Sequence, residues 1–361
     1  MRISIITCSR VNNYGALLQT FALCRYVFSL GHSVQVIDYR PSYLEFCTRL
    51  WYCAGFDIKE WCKMVLRWRN RATVISKYRG VSDFANRHVP FTIREYRSID
   101  ELRTDPPMAD VYIAGSDQIW NPELPNGTDE AFYLDFGPSS IKRISYAASF
   151  GVETMSSGYC YNMEKMLSNL DAVSVREESG QRICSDYGVR SVLVCDPVLL
   201  LPSGFWMGIA DESCVPECSY LLVYDLMKSR VIERTAKMIA RHHNLRIISV
   251  SPYWLSYAHN NYGDCTPAQF LGLIKNAGFV LCNSYHGCLY SLIFNRDFLV
   301  VERTDGLNTR MREFLYRYGL AKLLIKDERS SYCEHIDYYN ISKAMDADIC
   351  FSRAWLSQQL S

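Results

Sequence analysis

The chain carries almost no excess of one charge: 39 lysines and arginines face 38 aspartates and glutamates, a formal net charge of +1 over 361 residues. Such balance excludes the broad single-sign field that gathers nucleic acid or acidic polymers, so neither is expected as a partner and any anion site must be local. Long apolar runs are missing as well. None is long enough to span a bilayer, and the opening Met1-Arg2-Ile3-Ser4-Ile5-Ile6-Thr7 reaches Ser9-Arg10 too soon for the core of a secretion signal. The expectation is a soluble, cytoplasmic protein. CxxC pairs are absent among 15 cysteines, an odd number, several of them inside apolar stretches such as Phe279-Val280-Leu281-Cys282. Without a secretion signal these read as reduced, mostly buried thiols. Cys214 and Cys218, with His242 and His243 downstream, lack a second correctly spaced pair, so no metal site is expected. Internal repeats and low-complexity segments are lacking too.

What remains is an ordinary globular composition, 49% hydrophobic and 21% charged, in a chain too long for one typical core. Short apolar runs alternate with helical patterns, the signal of βαβ units around a largely parallel sheet. Strands are expected at Ile3–Thr7, Val34–Asp38, Val111–Ala114, Ile144–Ala147 and Val173–Val175. After Asp196-Pro197 and Pro202-Ser203-Gly204 the pattern resets, with strands at Tyr220–Tyr224, Arg246–Val250, Phe279–Cys282 and Phe298–Val301. This predicts an α/β protein of two Rossmann-like domains, residues 1–200 and 201–361, with a ligand cleft between facing strand ends. A helical insertion at about 45–100 interrupts the first domain. Within it, Trp61, Met64, Val65 and Trp68 share one helix face amid Lys59, Lys63, Arg67 and Arg69. Segment 47–71 is either an arm packed on its own domain or a peripheral contact with a membrane or a lipid-linked substrate.

Ligands in open α/β sheets bind beyond the C-terminal strand ends, so the polar residues after each apolar run are the candidates. The first loop offers Arg10, Asn12 and Asn13 before Gly15 and a helix start, a place for an anion or only a turn of the chain. Asp117, after Val111–Ala114, is either a base for a sugar hydroxyl or a helix N-cap, and Trp120 offers a face for a sugar. Ser149 lies in a small-residue turn. Arg176 could fork onto a carboxylate or phosphate, or pair with Glu177 or Glu178. Most specific is Asn283-Ser284-Tyr285-His286-Gly287, where His286 meets the field of a helix N-terminus and Gly287 lets a ligand approach. Arg303 and Arg310 follow within reach of the same cleft.

Together, Asn13-Tyr14-Gly15-Ala16-Leu17-Leu18-Gln19, Gly115-Ser116-Asp117-Gln118-Ile119-Trp120-Asn121, Ser149-Phe150-Gly151, Ser174-Val175-Arg176-Glu177, Asp196-Pro197-Val198, Asn283-Ser284-Tyr285-His286-Gly287 and Leu307-Asn308-Thr309-Arg310 resemble the polysaccharide pyruvyl transferase family, in the family's order. The resemblance implies a GT-B-like pair of domains and transfer of a pyruvyl group from phosphoenolpyruvate to a sugar of a cell-surface polysaccharide or its lipid-linked precursor, leaving a pyruvate ketal. Phosphoenolpyruvate is then a co-substrate and no cofactor is required. On this reading His286 is the acid, Asp117 the base, and Arg176, Arg310, Arg303, Ser284 and Gly287 form the donor side. Arg10, Asn12, Asn13, Trp120 and Ser149 form the acceptor side. Many members carry an arginine where this chain has Ser284, so Arg303 or Arg310 would replace that cation. Two alternatives stay open: a GT-B glycosyltransferase in which Glu302 holds the ribose of a nucleotide sugar, and a noncatalytic glycan-binding protein.

Overall fold

The computed structural model describes residues 1–45, 71–155, 162–304, 308–327 and 336–361. The tryptophan-rich segment 47–70 lies outside the described residues. In the first half, strands β1 (Arg2–Ile6), β2 (Ser33–Tyr39), β3 (Phe91–Tyr96), β4 (Val111–Ala114) and β5 (Lys142–Ser145) form one parallel sheet in the order β3-β2-β1-β4-β5. Ile3 lies opposite Val34 on one side and Val111 on the other. Bridges Ile144–Ala172 and Ala148–Val175 link this sheet to the parallel pair β6 (Val173–Val175) and β7 (Ser191–Leu193). The second half repeats the plan: β8 (Tyr220–Tyr224), β9 (Arg246–Ser249), β10 (Asn260–Asn261), β11 (Phe279–Cys282), β12 (Phe298–Val301) and β13 (Leu324–Ile325) run parallel in the order β10-β9-β8-β11-β12-β13. The unbroken apolar runs are the strands buried on both faces, as in Tyr220–Tyr224, where all five residues are inside.

Within the stretch read as a helical insertion, the helix Arg71–His88 is followed by β3, which pairs with β2. This edge strand, Phe91-Thr92-Ile93-Arg94-Glu95-Tyr96, mixes buried and exposed residues and shows no apolar run, so its sequence does not announce it.

Both sheets reverse strand order at their centres, between β1 and β4 and between β8 and β11. In open α/β sheets such reversals are where ligand crevices form, outside the C-terminal ends of the strands. Helix α1 (Tyr14–Ser29) occupies the boundary between the halves. Its Tyr14 ring stacks on Phe270 at 4.8 Å and its hydroxyl donates to the Cys265 carbonyl at 2.6 Å, while Phe21 meets Trp206. Each such fully buried side chain contributes roughly 1.5–3 kcal/mol through removal from water, which anchors the start of α1 at the cleft.

Helix α2 (Tyr338–Gln359) straddles both halves. Its Asp348 accepts from Arg317 and Tyr318 on the second half. Toward the first half, its Ser352 Oγ accepts from the Cys195 amide at 2.9 Å and its Gln359 carbonyl accepts from Lys142 Nζ at 2.7 Å. Among the described residues no helix is long and apolar enough to cross a membrane.

Candidate active site

The loops at the switch points of the two sheets bring a compact set of charges together. β11 runs into helix α3 (Tyr285–Ile293), which begins three residues before the apolar pattern that starts at Cys288, so His286 lies inside its first turn. Ser284 is the N-cap, its Oγ accepting from the Gly287 amide at 3.3 Å. A Cβ at Gly287 would meet Cys282 Sγ at 3.1 Å, so the glycine allows close packing of the helix on the strand. The imidazole of His286 reaches across to the first half and lies against Gly15 at the start of α1. A Cβ on Gly15 would fall 2.1 Å from His286 Nδ1, so only glycine leaves room for the ring. His286 Nε2 finds no hydrogen-bond partner among the described residues and sits 3.5 Å from Asp196 Oδ2.

Asp196 ends the run Val192-Leu193-Val194-Cys195 and is wholly buried. Its Oδ2 accepts from Arg176 Nη1 at 2.5 Å and its Oδ1 from the Val198 amide at 3.1 Å. Burial works against its charge, yet His286 and Arg176 outweigh that cost and hold the carboxyl well below the usual range. Arg176 therefore pairs with Asp196, not primarily with Glu177 or Glu178. Its side chain is 1% exposed, and Nη1 also donates to Ser116 Oγ at 3.3 Å. Its Nε and Nη2 have no hydrogen-bond partner among the described residues. The nearest carboxylate oxygens are Glu177 Oε2 at 4.0 Å from Nε and Asp117 Oδ1 at 3.8 Å from Nη2.

Arg310, at the start of helix α4 (Thr309–Arg317), completes the group from the second half. Its Nη1 is 3.5 Å from Asp117 Oδ1, and the Gln118 side-chain oxygen, in the amide orientation that satisfies both neighbours, accepts from its Nε and Nη2. The Tyr285 ring lies beneath both guanidiniums, at 4.9 Å from Arg176 and 5.6 Å from Arg310. Burial, then repulsion by Arg176, draws Arg310 down to about 10, which leaves it charged at neutral pH. Asp117 does not cap a helix; it follows β4 with φ at +81°, a conformation open to Asp more than to most side chains. Glu177 Oε1 accepts from the Phe150 and Gly151 amides, in the turn that also holds buried Ser149.

Other expected site residues are spent elsewhere. Trp120 is fully buried, its ring stacked on Tyr133 at 5.4 Å and flanked by Phe150, its Nε1 donating to the Phe132 carbonyl. It presents no face to a sugar, which corrects its reading as an acceptor platform. Arg10 forks onto Asp38 at 2.8 and 2.6 Å, donates to Asn86 and covers the Phe91 ring. Asn13 caps α1, whereas Asn12 Oδ1 is buried without a hydrogen-bond partner among the described residues. Arg303 and Asn308 clasp one another through backbone and amide, and Arg303 Nη2 donates to Met227 Sδ at 3.9 Å. Glu302, the carboxylate a nucleotide-sugar enzyme would need, is gripped by Arg312 at 2.8 and 3.1 Å.

Asp196, Tyr285, Ser116, Glu177 and Gly15 join the cluster, although none of them is expected from sequence to bind a ligand or to catalyse. Asp196 carried the same signal as Asp117, a polar residue directly after an apolar run, but the proline behind it read as punctuation between domains. Among the described residues no group of three or more His, Cys, Asp or Glu is placed to hold a metal ion.

Two facing Rossmann-like domains with charged residues converging at the cleft define a protein of the GT-B class. The solved structures agree on the fold: UDP-N-acetylglucosamine 2-epimerase from Rickettsia bellii is similar with a TM-score of 0.53 at 12% identity, covering 99% of this chain and 96% of that one. S. aureus MnaA with UDP gives 0.50 at 8% identity, covering 96% and 87%. No curated protein matches the sequence significantly. The model of the polysaccharide pyruvyl transferase family matches residues 13–305, most of the chain, and the protein belongs to that family.

Proposed function

We propose that the protein transfers the pyruvyl group of phosphoenolpyruvate to a sugar of a cell-surface polysaccharide or its lipid-linked precursor, forming a pyruvate ketal. The observation that carries this reading is the pairing of one buried guanidinium with unspent donors and one partly buried guanidinium with an imidazole whose Nε2 is also unspent. Arg176 and Arg310 hold the carboxylate and phosphate of the donor. His286 delivers its proton to the methylene carbon. The π electrons form the new C–H bond, and positive character develops at the central carbon. Asp196 gives the imidazolium its counter-ion.

A sugar hydroxyl adds to the central carbon as Asp117 takes its proton. Phosphate departs with the C–O electron pair, and a second hydroxyl closes the ketal. Of the two hydroxyl protons, one replaces that given by His286 and the other leaves with the phosphate. The reaction belongs in the cytoplasm, at the inner face of the membrane where a lipid-linked acceptor presents itself. Incubation with phosphoenolpyruvate and a panel of lipid-linked or nucleotide-linked sugars should yield the ketal by mass spectrometry with one phosphate per product. Nucleotide released from a sugar nucleotide, with phosphoenolpyruvate untouched, would overturn this reading.

A further inference from the structure

Asp117 stands where an anionic ligand of Arg176 and Arg310 would stand. Its Oδ1 lies 3.8 Å from one guanidinium and 3.5 Å from the other, close enough for charge attraction but beyond good hydrogen-bond length. Arg176, paired with Asp196 through Nη1 alone, is thus neutralised without being satisfied: Nε and Nη2 stay unbonded among the described residues on a side chain 1% exposed. Leaving such donors unmade is costly, and an oxyanion able to fork onto them would recover that cost.

An anion forking onto Nε and Nη2 of Arg176 must compete with the carboxylates already beside them, and three are present. Asp196 is wholly buried and bonded to Arg176 Nη1 and the Val198 amide. Glu177 is held by two backbone amides. Asp117 has the loosest hold, a side chain 19% exposed, and a backbone at φ +81°.

We infer that Asp117 is the internal counter-ion of the anion pocket, displaced by the carboxylate or phosphate of the donor. Resting on the proposed reaction, the inference adds an order: the donor binds first, and only the displaced carboxylate is free to accept the proton of the sugar hydroxyl. Asp117 thus couples occupancy of the donor pocket to the availability of the base. An acceptor arriving alone meets a base that is still tied to both arginines.

The test uses the full chain and Asp117→Asn, since asparagine tolerates positive φ and preserves the fold. Calorimetric titration without acceptor, with phosphoenolpyruvate and separately with inorganic phosphate, should show binding about tenfold tighter or more in the variant, as removal of a unit charge a few ångströms from the ligand predicts. Unchanged or weaker binding overturns the inference. A crystal structure of the wild-type protein soaked in phosphate should show Asp117 turned away from both guanidiniums; phosphate on Arg176 with Asp117 still between the arginines also overturns it. Tighter phosphate binding in the variant, with no pyruvyl transfer by the wild-type protein to any sugar, would sink the proposed reaction alone. Pyruvyl transfer by the wild-type protein without tighter binding in the variant would sink this inference alone.

Discussion

Two buried or half-buried clusters of arginine and carboxylate lie at the strand ends of the first half, and they differ in how completely they are satisfied. Around Asp38, Arg10 and Arg40 each fork onto the carboxylate with bonds of 2.6 to 2.8 Å, and Arg40 reaches Glu95 with its remaining nitrogen at 3.0 Å. Around Asp196, Arg176 spends one nitrogen and leaves two unbonded among the described residues, while His286 leaves Nε2. The first cluster has the form of a finished structural element. The second holds donors in reserve at the meeting of two domains, the condition expected of a site that completes itself on a ligand.

That contrast can be broken or sharpened by mutation. The largest effect is expected from His286→Ala, which removes the proposed acid and should lower pyruvyl transfer at least about a hundredfold with an unchanged far-ultraviolet spectrum and melting temperature. Near-normal turnover would return the unsatisfied cluster to a structural role. Next comes Gly15→Ala: its methyl would occupy the place of His286 Nδ1, so the ring must move. A loss of about ten- to a hundredfold in kcat, with phosphoenolpyruvate binding retained, is the expected signature of a displaced imidazole.

Asp196→Asn should cost about tenfold in kcat, roughly the 1.4 kcal/mol of one lost charge-assisted contact, and should also change the acid stability of the protein. Burial raises the Asp196 carboxyl, but His286 and Arg176 lower it further. Since its folded-state value lies below its unfolded value of about 4, its stabilisation is present above that pH and is lost as pH falls below it. Denaturant titrations should therefore show a steeper loss below about pH 4 in the wild type than in the variant. Asp38, lowered by Arg10 and Arg40 against burial, keeps its own share in both proteins. Equal slopes would mean that folding does not lower the Asp196 carboxyl. The smallest effect is expected from Arg40→Ala in the satisfied cluster, a loss of about 1 kcal/mol in stability with kcat and the donor KM unchanged.

Unbroken apolar runs were enough to read the central strands, because strands buried on both faces must be apolar throughout. The rule that ligands gather at C-terminal strand ends then led to Asp117, Arg176 and His286 from one sequence. It could not separate Arg10 from Arg176, since the difference is made by Asp38 and Asp196, 28 and 20 residues away, and by how many nitrogens each pairing uses. Trp120 misled for a related reason: a loop tryptophan reads as exposed until Tyr133 and Phe150 are folded onto it. Gly15 had a visible conformational role at a helix start, but its service as a seat for His286 depends on a contact between domains.

Helix α2 gives the two halves a second tether. The chain passes between them through residues 194–202, and α2 itself reaches from Asp348 on the second half to Ser352 and Gln359 on the first. A body joined at one point can swivel in any direction, whereas two points define an axle. With two crossings, rotation about the line through both is the freest movement left to the halves, and a hinge of that kind would keep His286 in register with Gly15.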